Sequence, residues 1–577
     1  MVVIGLNIGH DGVLSIVKDG RHFFSIAEER LNRIKVYRGF PFMALRYVIE
    51  NNIVAAEEVD KVVIPSAVFL KSWAFNYAFT LTENKKYYNY LHEDKPDDFF
   101  MEEEEYLKVK SDKDLKSYVE RKLKKLLLDV GIEAPIEYVD HHLAHASAAY
   151  YASGFTKALS ITMDGTGDLL SATVNIGNDG FIETISKTSG KHSAGSLYSE
   201  VTRMCGFKMG KHEGKITGLA AHGNYHKYEK CFNKLLEVKN GKLFHVDPVW
   251  RKSIRTILNA VGFKKPDRSL LLLKRCGKLS NKDLAASIQR LLEKKIVEIV
   301  SYWVDKTGIQ DVVLSGGLFA NVKFNQHISE IPSVNNLFVF PDMSDGGNAY
   351  GAASYIYYQQ NKLIPVSTKN VYLGPEFENK YIESMLIKNN KKVEYFLSKD
   401  ICKDTAKLLS ENKIIGWFQG RMEYGPRALG NRSIIASPVD ATINKWLNDR
   451  MKRTEFMPFA PSCLYEYADE LFDIPKKSMK YPAQFMTITF RMKKEWADKA
   501  PAVSHVDQTA RPQLVTKEGN PKYYKLLKEY HKVTGLPLFI NTSFNVHEEP
   551  IVCTPEEGLH SLLTGVVDYF CVGDYVC

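Results

Sequence analysis

The feature that most constrains this chain is a weak internal repeat. Residues 2–28 read as three short apolar segments, VVIGLNI, VLSIV and RHFFSIA, separated by the turns GHDG and KDG. Residues 158–186 do the same, with ALSITMD, LLSATVNI and FIETIS separated by GTGD and GNDG. β-rich runs between Gly/Asp turns predict a β-meander in each place. Two such units about 155 residues apart predict two related lobes with a ligand cleft between them. At 577 residues the chain exceeds what one hydrophobic core serves, so about two to four domains are expected.

The second unit continues into an amphipathic helix over about 282–306, with Leu284, Ile288, Leu291, Leu292, Ile296, Ile299, Val300 and Trp303 at spacings of three and four. A strand (DVVLS) then leads to Gly316-Gly317, and another (NLFVFP) to Asp345-Gly346-Gly347. Strand, glycine turn and helix start suit a phosphate or an adenosine. Residues 82–130 are charge-dense and predict a solvated helical insertion. The pattern weakens from 362 to 395, and from 396 a separate α/β unit begins, with strands expected at KIIGWFQG, AQFMTITF and LPLFINTSF.

Composition excludes several classes. With 45% hydrophobic and 25% charged residues the chain is globular, and its +9 charge is spread without a basic stripe, which disfavours nucleic acid as a partner. No run reaches the roughly 18 apolar residues of a membrane helix. The eight scattered cysteines and an N-terminus that enters a strand directly suggest reduced thiols and a cytoplasmic location.

Three places carry candidate chemistry. In VDHHLAHASAAYY, His141 and His145 stand one helical turn apart and could hold a metal or be buried, hydrogen-bonded histidines, with His142 on another side. In MDGTGD, Gly165 and Gly167 would let backbone N–H groups converge on an anion, and Asp164 and Asp168 could accept a proton or hold a metal-bound water. The matching turn, His10-Asp11-Gly12, would face it across the cleft. The third place is the C-terminal set GRMEYGPRALGNRS, MKRTEFMPFAP, Arg511-Pro512 and NTSFN. There Arg421, Arg427, Arg432, Lys452, Arg453 and Arg511 lie in Gly/Pro/aromatic turns that suit phosphate or carboxylate, or bridge loops structurally.

Taken in order, HDG, HHLAHASAAYY, MDGTGD, EGKITGLAAHG, SGGLFAN with DGGNAYGAA, and GRMEYGPRALGNRSI with PFAP and NTSFN resemble the O-carbamoyltransferases of the NodU/CmcH family, which includes the tobramycin carbamoyltransferase. The resemblance implies an α/β chain. Residues 1–365 would form a two-lobed domain of the actin/sugar-kinase/heat-shock class, similar to the tRNA threonylcarbamoyl transfer enzyme. Residues 366–395 would link it to a domain over 396–577 resembling the YrdC threonylcarbamoyl-adenylate synthase. The C-terminal domain would convert carbamoyl phosphate and ATP, with Mg²⁺, to carbamoyl-adenylate, and the N-terminal domain would pass the carbamoyl group to a hydroxyl of a small molecule.

By motif, Lys452, Arg453, Arg511, Asn541 and Ser543 would hold carbamoyl phosphate and the nucleotide phosphates. His141, His145 and Asp345 would bind Fe²⁺ or a similar divalent ion. His10 and Asp164 would orient or deprotonate the hydroxyl, and Ser315, Gly316, Gly317 and Asn321 resemble an adenosine-binding turn and helix start. Met457 stands where many relatives carry Arg, and ASPVD (436–440) where they often read DPR. A tRNA-modifying transferase, a sugar kinase and an ATP-gated clamp without group transfer are the competing readings, and a homo-oligomer is compatible with all of them.

Overall fold

The computed structural model describes residues 1–66, 112–246, 280–361, 365–451 and 458–577. In the first repeat, β1 (Val2–Asn7), β2 (Val13–Lys18) and β3 (Arg21–Ala27) run antiparallel. β4 (Val59–Ile64) and β5 (Ile136–Tyr138) join in parallel on the β1 side, giving the order β3-β2-β1-β4-β5. In the second repeat, β6 (Lys157–Gly167), β7 (Leu170–Asn178) and β8 (Phe181–Ser189) are again antiparallel. After a separate hairpin, β9 (Leu236–Lys239) with β10 (Lys242–His245), β11 (Asp311–Ser315) and β12 (Asn336–Val339) add in parallel, in the order β8-β7-β6-β11-β12. Strand order and direction match position for position. The repeat is one of topology, and the doubled sheet is the two-lobed actin/sugar-kinase/heat-shock architecture.

Each fifth strand leads into a helix, His141–Ser153 in one lobe and Gly347–Asn361 in the other. These helices pack on each other through small residues. A side-chain carbon at Gly351 would sit 1.9 Å from the carbonyl oxygen of Ala144, and one at Gly5 of β1 would sit 1.8 Å from that of Ala349. The close approach brings the two helix starts together in the cleft. The long helix behind the second lobe runs Asn281–Thr307, opened by Ser280, whose side chain accepts from the Asp283 N–H, and closed by Gly308 in the left-handed region. All eight of its periodic apolar residues are buried.

The C-terminal unit is a mixed eight-stranded sheet. Its strands are β13 (Phe396–Leu397), β14 (Ile415–Phe418), β15 (Arg432–Ala436), β16 (Ala460–Leu464), β20 (Gln513–Val515), β21 (Leu538–Ser543), β22 (Tyr569–Val572) and β23 (Tyr575–Val576). Their order is β13-β23-β22-β14-β15-β21-β16-β20. A small sheet of β17 (Phe472–Asp473), β18 (Phe490–Met492) and β19 (Thr509–Ala510) stands apart. Helices Ile401–Ser410 and Pro521–Thr534 cover the large sheet through Ile401, Ala406, Leu409, Leu526, Leu527 and Tyr530.

Three expectations meet a different outcome or fall outside view. AQFMTITF is not a strand: its apolar side chains are buried from a turn in which the Pro482 carbonyl accepts from Phe485 N, Thr487 N and Thr487 Oγ1, and Met486 has a φ of 55°. Only Phe490 of that run enters β18. Of the eight cysteines expected as reduced thiols, Cys205, Cys402, Cys463, Cys553, Cys571 and Cys577 are free, and Cys276 lies outside the described residues. Of the charged stretch, Asp112–Leu128 is helix and residues 82–111 lie outside the described residues.

Residues 366–395 contain the helix Asn379–Lys388, and their first part is strapped to both units. Ser25 N donates to the Leu373 carbonyl, and Gly374 N and Tyr424 N pair with Met422 and Val371. Among the described residues, no helix is long and apolar enough to cross a membrane.

Candidate functional site

The helix His141–Ser153 is capped by Asp140, whose side chain accepts from Leu143 N. The turn between His141 and His145 puts both rings on one face, 4.8 Å apart. The end of β6 brings Asp164 to them, and the loop after β12 brings Asp345. One donor atom from each of the four lies within 4.8 Å of the others. His141 Nε2 is 3.4 Å from Asp164 and 3.6 Å from Asp345, and His145 Nε2 is 3.4 Å from Asp345.

This set fits a divalent ion. His141 Nε2 is buried and makes no hydrogen bond, though two carboxylates face it. Atoms sharing one ion at bonds of about 2.1 Å stand roughly 3.0–3.4 Å apart, close to the spacing found. Two imidazoles with two carboxylates suit iron, zinc or manganese. Burial alone would lower the His141 pKa, yet Asp345 and Asp164 raise it to about 9. The pocket favours a positive charge at its centre.

Neighbouring groups fix the rings. Ser315 Oγ donates to the Met343 carbonyl at 3.3 Å, so at 3.0 Å it accepts from His145 Nδ1 and leaves the Nε2 lone pair facing Asp345. Asn348 Nδ2, 3.2 Å from that Nε2, donates to the same lone pair. His142 points elsewhere, to Thr162 Oγ1 at 2.8 Å, and burial pushes its pKa down to about 3. Asp168 accepts the His141 backbone N–H at 2.9 Å. Replacing Ser315 with Ala should weaken divalent-ion affinity about 10–100-fold, measured by titrating metal into the metal-free protein. Unchanged affinity would mean the hydroxyl does not set the imidazole.

The glycines here are needed for space. A side chain at Gly167 would overlap the His141 ring at 1.9 Å, and one at Gly316, whose φ is 108°, would strike the Met163 carbonyl oxygen. Gly317 N donates to Asp164 Oδ1 at 3.1 Å, and Gly165 is open on its side-chain face. Asn321 caps the helix Val322–Ser329 and is held by Gln289 and Tyr198.

The first-lobe turn does approach this cluster. Asp11 accepts from Ser344 Oγ at 2.9 Å and pairs with His10 Nδ1 at 3.0 Å. Burial opposes charge on His10, but Asp11 and Asp345 outweigh it and lift its pKa to about 9. Its other nitrogen, Nε2, stands 3.3 Å from the Gly210 carbonyl oxygen.

A second site, a cavity of about 830 Å³, opens between the second lobe and the C-terminal unit. Arg427, Arg511, Asn541 and Ser543 line one side, Gln289 and Arg290 the other. Burial pushes the Arg427 pKa down to about 10, and burial together with Arg427 holds Arg511 well below its usual value. The Nε of each is buried without a partner. Among the described residues no carboxylate pairs with either one, so two half-buried guanidiniums with buried, unpartnered Nε atoms face the cavity, an arrangement that suits an anion.

The other arginines of this group divide differently. Arg432 is fully buried, donates to the carbonyls of Gln419, Asn431, Pro375 and Gly420, and lies over the Phe418 ring. Arg421 reaches the carbonyls of Gly374, Leu373 and Phe23, tying the C-terminal unit to β3. Glu423 shapes the intervening loop by accepting the backbone N–H groups of Leu429, Asn431 and Arg432. Asn541 donates to the Ala428 carbonyl, Ser462 and Gln513, and its Oδ1 is buried and unpaired. Ser543 Oγ donates to Asn545 at 2.6 Å. Lys452, Arg453 and Met457 lie outside the described residues.

Residues 2–354 match the family model described as "Carbamoyltransferase N-terminus", and residues 406–577 match "Carbamoyltransferase C-terminus". The chain belongs to the carbamoyltransferase family. It is 31% identical to the nodulation protein NolNO of Sinorhizobium fredii, over 98% of this chain and 78% of that one. It is 30% identical to an uncharacterized protein of Synechocystis, over 98% and 95%. Nodulation protein U of Sinorhizobium fredii is 26% identical over 95% and 94%. Among solved structures, HypF of T. kodakarensis aligns at a TM-score of 0.33 and 12% identity, over 63% of this chain and 49% of that one, which adds nothing to the strand order above.

In this carbamoyltransferase the motif reading needs two additions. Arg427 joins Arg511 at the cavity, although its motif offered three arginines with no local sign to separate them. Asp164 stands among the metal-type donors, a position set by the pairing of distant strands.

Proposed function

We propose that this carbamoyltransferase makes carbamoyl-adenylate from carbamoyl phosphate and ATP at the Arg427/Arg511 cavity, and passes the carbamoyl group to a hydroxyl of a small molecule at the histidine cluster. The acceptor would be a sugar, oligosaccharide or specialised metabolite. The observation that carries this reading is the pair of half-buried guanidiniums, unpaired among the described residues, in a cavity large enough for a nucleotide. Carbamoyl phosphate and the polyphosphate of ATP, with its Mg²⁺, are the anions the family's chemistry offers to such a site. Arg427 and Arg511 would hold them bidentately, and Asn541 and Ser543 would bound them at the end of β21. Carbamate, freed from phosphate, attacks the α-phosphorus and pyrophosphate leaves.

In the transfer step the acceptor oxygen attacks the carbamoyl carbon, the bond to AMP breaks with the electron pair leaving on the phosphate oxygen, and the hydroxyl proton passes to solvent. His141, His145, Asp164 and Asp345 would hold a divalent ion such as Fe²⁺, which would supply Lewis-acid stabilisation of oxyanion charge. Asp164 thus serves as a ligand in this reading. His10, held by Asp11, would orient the hydroxyl or steady the developing charge. Gly165, open on its side-chain face, would let the adenylate approach the backbone beside the cluster.

The test is product analysis with ATP, Mg²⁺, a ferrous salt and carbamoyl phosphate, with and without candidate hydroxyl acceptors. Pyrophosphate release that depends on carbamoyl phosphate, with AMP appearing when an acceptor is carbamoylated, is the expected result. ADP in place of pyrophosphate would overturn the adenylate route.

A further inference from the structure

One histidine of the anion cavity is built differently from its neighbours. His212 is occupied by Glu548 at 3.0 Å and His327 by Glu330 at 2.9 Å. His505 also lines the cavity, but its Nε2 is buried and has no hydrogen-bond partner. Its other nitrogen, Nδ1, stands 3.3 Å from Asp507 Oδ1. That carboxylate is immobilised: Oδ1 accepts from Thr509 N at 3.0 Å and Thr509 Oγ1 at 2.6 Å, and Oδ2 pairs with Lys323 of the second lobe at 3.1 Å. An aspartate accepting at Nδ1 puts the proton there and leaves the lone pair on Nε2.

The backbone brings His505 close to Arg511 along the chain. His505 N donates to the Thr509 carbonyl and Gln508 N to the His505 carbonyl, closing a tight turn with His505 opposite Thr509. Arg511 follows Thr509 by one strand alternation, about 7 Å along the chain. His505 and Arg511 therefore line the same cavity from adjoining positions. A mostly buried imidazole held at one nitrogen, with the other unpartnered, in a residue that lines the anion cavity, has the arrangement of a general base.

We propose that His505 is the base that opens carbamoyl phosphate in this cavity, an assignment that rests on the adenylate reading above. Nε2 takes a proton from a water molecule as the water oxygen bonds to the carbamoyl carbon. The bond from that carbon to the phosphate oxygen breaks, and inorganic phosphate leaves with the electron pair. The other water proton is lost to solvent, and carbamate remains for attack on ATP. Asp507 acts through His505 as a positioning residue, and its pair with Lys323 ties the base to the second lobe.

Carbamate can also be supplied without carbamoyl phosphate, because equilibrated ammonium bicarbonate solutions contain it. The experiment compares pyrophosphate release by the full chain and its His505→Asn and His505→Gln variants, fed with ATP and either carbamoyl phosphate or ammonium bicarbonate. Both variants should lose about 10²–10⁴-fold in kcat with carbamoyl phosphate. Their KM for it should stay within about threefold, and the carbamate-fed rate should stay near wild type. That second rate also reports whether the variant is folded. Undiminished turnover of carbamoyl phosphate would overturn the assignment. So would equal loss on both routes, which would place His505 in nucleotide binding or in the fold. Wild-type protein that releases pyrophosphate from neither source would remove the adenylate reading itself, and the base with it.

Discussion

Replacing Arg511 with Met should lower kcat/KM for carbamoyl phosphate-dependent pyrophosphate release about 10²–10³-fold while raising the melting temperature of the ligand-free protein. The two effects share one cause. Arg427 and Arg511 stand half-buried beside each other with no carboxylate among the described residues to neutralise them, so their two like charges destabilise the ligand-free cavity. A Met of similar length removes one charge and keeps the packing. The same charge acts on phosphate oxygens during turnover, and losing such a donor costs about this much in rate. Phosphate or carbamoyl phosphate should accordingly stabilise the wild type more than the variant, by mass action on the folded state. A variant that melts lower than wild type without ligand would mean Arg511 is paired structurally, and the anion site would have to be placed elsewhere.

The second large effect is expected at the histidine cluster. His145→Ala should reduce transfer to the acceptor by roughly 10³-fold or more, the scale of a lost Lewis-acid contribution of several kcal/mol. Pyrophosphate release from ATP and carbamoyl phosphate should persist, because the cluster is not part of the arginine cavity. Metal content of the purified variant supplies an independent reading and should fall with transfer. Loss of both half-reactions in a variant that still retains its metal would count against a division of labour between the two sites. His142→Ala is the internal control: its ring is turned to Thr162, so it should leave metal content unchanged.

Local chemistry and long-range chemistry were unequally legible in this sequence. The paired three-strand units and the helix Asn281–Thr307 could be read because alternation, turn residues and a period near 3.6 are written within a few residues of one another. AQFMTITF has the same apolar alternation and folds as a turn, because Pro482 and a left-handed Met486 override it. His141 and His145 announced themselves by spacing along one helix. Asp164 was legible only as half of a turn, since its approach to them depends on β6 lying beside β11 and near the helix start. Arg421, Arg427 and Arg432 share one Gly/Pro-rich motif, and only the carbonyls within reach separate two braces from one cavity residue. His505 gave no motif signal, because an unpaired nitrogen is a property of its surroundings.

The loop that carries Arg427 has one more attachment. Tyr424, three residues earlier, donates to the carbonyl of Gly346 at 2.8 Å, immediately after Asp345, and Arg30 holds the Gly425 carbonyl at 3.1 Å. A single stretch of chain is thus a wall of one chamber and a brace for the other. The two halves are consequently poor candidates for exchange as interchangeable parts. A chimera cut between them would pair this stretch with a foreign Gly346 loop and misalign both chambers at once, so inheritance of either half should constrain the sequence of the other.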